Sequence, residues 1–142
     1  MFRADVHPMP DIVTILSAST RFRTWTTVLV RTLFVDDLRK RGPWSILAPT
    51  DEAFELLPSG VLERLFRPSA IEALIDLAEH HILRSTEPPD GQLLSHKFAA
   101  NGVRGGRVLA RRTCSNGHLC VVDRVAIPAG LLSRVMPPVR AA

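Results

Sequence analysis

The sequence predicts an α+β domain, and three patterns carry this prediction. A short apolar run at residues 44–47 is typical of a buried strand. Apolar residues recur at helical intervals over 71–82, and they alternate over 119–127 as they do in a strand that buries one face. The chain has 142 residues, of which 46% are hydrophobic, so it is long enough to bury one core without metal or disulfide support.

The N-terminal part of the chain predicts an apolar segment followed by a helix. Asp11 opens the apolar segment, and either Ser19 or Thr20 can cap the helix that follows. The apolar residues of that helix that recur at intervals of three and four are Phe22, Trp25, Leu29 and Leu33. This spacing predicts that one face of the helix buries both of its aromatic side chains.

The segment 42–54, GPWSILAPTDEAF, changes from a strand to a helix within one turn. Pro49 ends the strand because a proline cannot donate a hydrogen bond to a neighbouring strand. Thr50 is a favourable N-cap, and Asp51 places negative charge in the first helical turn, where the helix dipole favours it. Phe54 then supplies apolar surface, so we expect this corner to lie against the core.

A further helix is predicted after the break at Pro68, which follows a short helical pattern at 61–66. Ser69 and Glu72 have the spacing of a capping box, in which a hydroxyl and a carboxylate satisfy the first amides of a helix. The predicted buried stripe consists of Ile71, Leu74, Ile75, Ala78 and Ile82. This helix leads directly into a pair of adjacent histidines.

The C-terminal part predicts a β-hairpin in which 108–113 pairs with 119–127. Asn-Gly at 116–117 supplies the turn. With a three-residue loop, Cys114 and Cys120 face each other and can form a disulfide, whereas a two-residue turn places them diagonally and strains the bond. Two free thiols, buried as small hydrophobic side chains, are the equally weighted alternative.

Three segments resemble one known family. The segment 42–54 resembles the first signature of the fasciclin domain family, a phrase of the type TVFAPTDEAF. The segment 116–128, NGHLCVVDRVAIP, resembles the closing strand of that family, and 80–83 resembles its second signature. Motifs in the right order, with the first and last separated by about 60 residues, are hard to obtain by chance.

The resemblance implies one fasciclin-like domain over 11–130, an N-terminal extension at 1–10 and a C-terminal tail at 131–142. The implied fold is a compact β sandwich or wedge of mostly antiparallel strands packed with several α-helices. The region 87–115 is shorter than in a typical member and lacks a hairpin.

The resemblance also implies a surface for a partner, since the second signature of the family has been linked to adhesion through receptors. The corresponding residues here are Glu79, His80, His81, Ile82 and Leu83. His80-His81 stands where the family has Tyr-His. Helical spacing places His81 next to Leu77 and Ala78 at the core edge, and His80 on the outer side. We therefore expect a non-enzymatic adhesion or binding module that presents this helix end to a protein or glycan partner.

Charge distribution gives an alternative function. Residues 1–90 carry ten Arg or Lys and thirteen Asp or Glu, whereas 91–142 carry eight and one. The predicted polyanion-binding residues are Arg104, Arg107, Arg111 and Arg112. Such a basic segment attracts acidic polysaccharide or an anionic surface, although a solvated face explains the same residues and nucleic acid is not the expected partner.

For Asp123 the sequence predicts a structural role, and it contains no motif of an enzyme or a metal site. Asp123 occupies the Asp of the closing motif, and a carboxylate in an apolar strand must be paired or hydrogen-bonded to avoid a desolvation cost. The sequence has no GxSxG elbow, no HExxH and no phosphate-binding glycine loop, so we expect no catalytic residues and no enzyme activity. No cysteine or histidine pair has zinc spacing, so we expect no metal and no cofactor.

The sequence does not determine the location of the protein. Residues 1–10 lack the apolar middle of a secretory signal, and no apolar run approaches the roughly 20 residues of a membrane span. The resemblance implies a secreted, periplasmic or cell-surface protein, because relatives in this family are usually exported, and the alternative of an intracellular protein stays open. The sequence does not predict the oligomeric state.

Overall fold

The computed structural model describes residues 10–40, 42–84 and 107–135. The helices in these ranges are α1 (Ile12–Ala18), α2 (Arg23–Arg31), α3 (Phe34–Leu38), α4 (Asp51–Glu55), α5 (Val61–Leu65), α6 (Ile71–His80) and α7 (Leu131–Val135). The strands are β1 (Trp44–Pro49), β2 (Ile82–Leu83), β3 (Val108–Cys114) and β4 (Gly117–Val122). The predicted α+β class is therefore confirmed.

The described strands form one mixed sheet in the order β2-β1-β4-β3. Strands β1 and β4 run parallel, in a register that pairs Trp44 with Gly117 and Pro49 with Val122. The pairs β1–β2 and β3–β4 are antiparallel. The parallel pair joins the first and the closing motif directly, so the two segments that resemble the family share one core. Most of the region 87–115, where a hairpin was expected to be missing, lies outside the described residues, which resume at Arg107.

The sheet separates two apolar clusters. The strand residues of the main cluster are Ile46, Ala48, Cys114, Leu119 and Val121, and helices α1, α2, α4, α5, α6 and α7 pack against them. The smaller cluster on the other face consists of Leu47, Cys120, Val122 and Ala126. Because side chains alternate along a strand, neighbouring residues of β1 and β4 belong to opposite clusters, and these two central strands are buried on both faces.

The corner between β1 and α4 is built from short hydrogen bonds. The Thr50 hydroxyl accepts from the Ala53 amide at 3.2 Å, as an N-cap does. Asp51 also contacts helix α2: its carboxylate accepts from the Thr24 amide at 2.8 Å. Helix α2 begins after Phe22 without a side-chain cap of its own. The expected cap from Ser19 or Thr20 is therefore wrong, and Asp51 takes this role from a distant part of the chain.

Two helix predictions need correction. Helix α2 ends at Arg31, and Leu33 has a left-handed backbone with φ of 65° and a side chain 68% exposed, so Leu33 does not extend the buried face. Helix α6 begins at Ile71 after a 3₁₀ turn at Pro68–Ala70, and its N-cap Ala70 makes no side-chain hydrogen bond. The turn that begins at Pro68 contains Ser69, so the predicted capping box does not form.

The face of α6 that is buried differs from the predicted stripe. Its buried residues are Ala73, Leu74, Leu77 and Ala78, whereas Ile71 is 39% exposed. The later start of the helix moves Ile71 to its first position, at the rim of the core. Leu74 and Ala78 are the members of the predicted stripe that the structure buries fully.

The hairpin turn lies one residue earlier than predicted. Cys114 pairs with Gly117, so Ser115 and Asn116 form the loop. Asn116 also connects three elements, because its side chain accepts from the Ile12 amide at 3.1 Å and donates to the Leu38 carbonyl at 2.6 Å. Its backbone carbonyl accepts from the Trp44 amide at 3.0 Å. A turn residue thus holds α1, α3 and β1 together.

The packed structure continues past the predicted domain boundary at Gly130. Leu131 and Val135 of α7 are 1% and 6% exposed and belong to the main core. Arg134 donates to the Asp76 carboxylate, which ties α7 to α6. The expected tail at 131–142 therefore begins too early, because α7 closes the core. Within the described ranges, no helix is long and apolar enough to cross a membrane.

Candidate functional site

His81, which follows the last residue of α6, is fully buried at 0% exposure. Its Nε2 accepts from the Ala126 amide at 3.0 Å, and its Nδ1 lies 2.8 Å from the Leu77 carbonyl oxygen. Because the Ala126 amide is a donor, the ring hydrogen must sit on Nδ1 and is donated to Leu77. The Trp25 ring lies 5.1 Å away, centroid to centroid. His81 is thus a neutral side chain that links α6 to the segment after β4.

This burial removes His81 from the predicted partner-binding residues, since a side chain without exposed surface cannot contact a partner in this conformation. The other four residues are its neighbours along the chain. Glu79 is exposed and His80 is half-buried, with its ring edge-on to His81 at 6.1 Å. Ile82 and Leu83 form β2, opposite Ile46 and Ser45 of β1. Both side chains are half-buried, and Ile82 is the one that packs against the main core.

The surface extends to two residues that the sequence did not single out. The Arg84 guanidinium lies over the Trp44 ring at 4.9 Å, a cation–π contact between the ends of β2 and β1. Trp44 is half-buried, and its Nε1 donates to the Lys40 carbonyl at 3.3 Å. An aromatic residue at the start of a strand, directly after Gly-Pro, was the available signal. We call Trp44, Glu79, His80, Leu83 and Arg84 the helix-end surface.

Asp123 has a structural position. Its Oδ1 accepts from the Arg107 amide at 2.6 Å, while its own amide donates to the Arg107 carbonyl at 3.1 Å. The Arg124 guanidinium lies 3.6 Å from Oδ2. The carboxylate thus fastens the start of β3 to the end of β4, which accounts for a charged residue at the end of an apolar strand.

The predicted polyanion-binding residues do not converge in the described part of the chain. Arg111 pairs with Cys120 and Arg112 with Leu119, so the two side chains leave opposite faces of β3. The backbone of Arg107 is bound to Asp123, and its side chain is exposed. Arg104 lies outside the described residues. A linear run of arginines in the sequence therefore divides between two faces of the sheet.

Of the two alternatives that the sequence left open for Cys114 and Cys120, the structure has the free thiols and not the disulfide. The register explains this, because Cys114 packs in the main cluster and Cys120 in the smaller cluster on the other face. Burial raises the pKa of both thiols, and this effect outweighs the opposing influence of Arg112 on Cys114 and of Arg111 on Cys120. Thiols of this kind are poor nucleophiles at neutral pH.

Among the residues that the structure describes, no group of three or more His, Cys, Asp or Glu side chains could hold a metal ion. The histidine pair does not converge either, since His81 faces the core while His80 is half-buried beside it. The site is a rigid surface of mixed polar and apolar side chains. Such a surface suits non-covalent binding.

The described residues form an α+β domain in which parallel β1 and β4 join two motif segments, and comparison with known proteins identifies its family. The family model of the fasciclin domain matches residues 20–108, which is more than half of the 142 residues. The chain therefore belongs to the fasciclin domain family.

Several curated proteins are similar to this chain. Protein sll1483 of Synechocystis sp. is 25% identical over 131 residues, covering 82% of this chain and 73% of that protein. Uncharacterized protein sll1735 of the same organism is 36% identical over 75 residues, covering 53% of this chain and 55% of its own length. Stabilin-2 of Mus musculus is 26% identical over 146 residues, covering 89% of this chain but only 6% of stabilin-2.

The fold also has a solved counterpart. A FAS1 domain pair from the insect cell adhesion molecule fasciclin I is similar, with a TM-score of 0.65 at 15% sequence identity. The match covers 91% of this chain and 53% of that one. At this identity the likeness establishes the fold, and the chain spans about half of the domain pair.

Proposed function

We propose that this chain is a non-enzymatic adhesion or binding module that uses the helix-end surface to contact a protein or glycan partner at the cell envelope or outside the cell. The FAS1 domain pair to which this chain is similar belongs to an insect cell adhesion molecule. The family thus supports a general binding role. The proposal adds to this a particular surface, a class of partner and a location.

The observation that carries the proposal is that hydrogen bonds and strand pairing fix the backbone of this surface. His81 anchors the end of α6 through two hydrogen bonds, and β2 then pairs with β1, so the backbone from Glu79 to Leu83 is held on both sides. A surface that is already ordered loses little conformational entropy when it binds. The aromatic and arginine side chains of Trp44 and Arg84 are of the types that are enriched where protein interfaces gain most of their affinity.

The test compares two double variants, each of which removes one glutamate and one apolar side chain. Glu79→Ala with Leu83→Ala removes two members of the helix-end surface, while Glu63→Ala with Val30→Ala removes an exposed glutamate and an exposed apolar side chain elsewhere. Both proteins are first checked for unchanged folding by circular dichroism. Wild type and variants are then immobilised and exposed to envelope and cytosolic fractions, and the bound material is identified by mass spectrometry and glycan analysis.

We expect an envelope component that is retained by the wild type and the control variant to be lost by the surface variant. Equal capture by all three proteins would reject the helix-end surface, and specific capture only from the cytosolic fraction would reject the location. Ile82 is left intact in this design because it packs against the main core, and its truncation would mix loss of folding with loss of binding.

Binding of acidic polysaccharide by Arg107, Arg111 and Arg112 is the weaker proposal. The three side chains are exposed, which favours it, but Arg111 and Arg112 leave opposite faces of β3. Retention on a heparin column that falls steeply as salt rises would support it, since contacts of this kind release counterions. Retention unaffected by salt would contradict it.

A further inference from the structure

A groove of about 450 Å³ lies between α1, the loop after it and the β3–β4 hairpin. This volume is in the range of roughly 300–1,000 Å³ that is usual for ligand pockets. The side chains that form its apolar floor are Ile15, Phe22, Leu119 and Val121, each at most 9% exposed. The groove contains no residue of the helix-end surface, so it is a separate candidate site.

Two arginines line the groove together with this apolar floor. Arg21 lies in the loop after α1, and Arg112 lies on β3 directly opposite Leu119 of the floor. Both are exposed, and neither guanidinium has an ion pair or hydrogen bond with another described residue. No carboxylate is among the described residues that line the groove. Positive charge and apolar surface therefore occur together, and the charge has no partner among the residues that the structure describes.

The backbone fixes the position of both arginines. The Arg21 amide donates to the Ser19 hydroxyl at 3.1 Å, and the Arg21 carbonyl accepts from the Asp51 amide at 2.9 Å. Arg112 belongs to a strand paired along its length with β4. Because both backbones are ordered, only side-chain freedom is lost when the guanidinium groups close on an anion.

We propose that this groove binds an anionic amphiphile, specifically a free single-chain carboxylate of the fatty-acid type. The hydrocarbon chain covers the apolar floor, and the carboxylate is held by Arg21 and Arg112, whose planar guanidinium groups match its two oxygens. A hydrophilic polyanion leaves the floor in contact with water, and an uncharged hydrocarbon leaves the arginines without a counter-charge. The amphiphile satisfies both features at once.

The test titrates decanoate, below its micelle concentration, into the purified chain by isothermal calorimetry, with 1-decanol and butyrate as partial ligands. The variants are Arg21→Gln and Arg112→Gln. Arg111→Gln is the matched control, since it removes the same charge from the neighbouring position of β3 on the opposite face. Ala18→Glu, at an exposed position of α1 that lines the groove, adds negative charge without disturbing the core.

We expect decanoate to bind more tightly than 1-decanol and butyrate, and each groove arginine variant to weaken decanoate about tenfold, the effect of losing one charge-assisted hydrogen bond. Ala18→Glu should abolish decanoate binding, and Arg111→Gln should leave it unchanged. Equal affinity for decanoate and 1-decanol, equal loss in Arg111→Gln and Arg112→Gln, or binding only above the micelle concentration would overturn the proposal. An acidic, leucine-rich peptide that occupies the groove while decanoate does not would also overturn it.

Discussion

At the scale of single residues, His81 shows how a motif position that suggests contact with a partner serves the fold instead. Its two ring nitrogens satisfy the Leu77 carbonyl and the Ala126 amide, which belong to segments far apart in the sequence. Both groups are buried, and a buried polar group without a partner costs more free energy than a hydrogen bond gains. Histidine is suited to this place because one neutral ring both donates and accepts.

We predict that His81→Ala lowers the free energy of unfolding by about 2–4 kcal/mol, because it leaves the Ala126 amide without an acceptor and opens a cavity beside Trp25. Urea denaturation followed by circular dichroism measures the change. His80→Ala is the control, and we expect it to cost no more than about 1 kcal/mol because that side chain is half-buried. If the two variants lost equal stability, the anchoring role of His81 would be wrong.

At the scale of elements, the sequence predicted best what is decided locally. Pro49 and Thr50 act within a few residues of their own position, so the change from β1 to α4 could be predicted from spacing alone. Contacts between distant segments could not be predicted in this way. Asp51 caps α2 although 27 residues separate it from Thr24, and nothing in either segment identifies the other as its partner.

The same contrast between local and long-range features applies to the candidate site. Its position after α6 follows from the motif at 80–83, whereas its partner groups come from elsewhere in the fold. Trp44 joins the surface because β1 pairs with β2, and the groove exists because α1 packs beside β4. The separation of Arg111 from Arg112 could have been predicted, because the sequence already placed both residues in a strand over 108–113 and adjacent strand residues point to opposite faces.

We predict that Asp51→Ala lowers the free energy of unfolding by about 1–2 kcal/mol, the usual effect of losing an N-cap, because α2 has no other side-chain cap. Glu52→Ala removes the same charge from the same helical turn without touching α2, and we expect a change of about 0.5 kcal/mol or less. Urea denaturation of both variants measures the difference. Equal losses would mean that Asp51 acts through the dipole of α4 alone.

At the scale of the whole molecule, the parallel pair β1–β4 joins the two motif segments into one folding unit. The backbones approach closely at Gly117, where φ is 153° and an added Cβ would lie 1.9 Å from the Trp44 carbonyl oxygen. That contact involves backbone rather than a movable side chain, so β1 and β4 must shift apart to accommodate it. Gly130 has φ of 81° with no atom within 4 Å of an added Cβ, and it offers a matched comparison.

We predict that Gly117→Ala lowers the free energy of unfolding by about 3 kcal/mol or more, because it combines a backbone clash with loss of strand pairing. Gly130→Ala adds only the strain of a left-handed backbone and should cost about 1 kcal/mol. Thermal and urea unfolding, followed by both tryptophan fluorescence and far-ultraviolet circular dichroism, measure the two changes. Since the main core contains residues of both β1 and β4, we expect the two signals to coincide in one transition for each protein. Separate transitions in the wild type, or equal costs at the two glycines, would show that the motif segments do not stabilise each other through this contact.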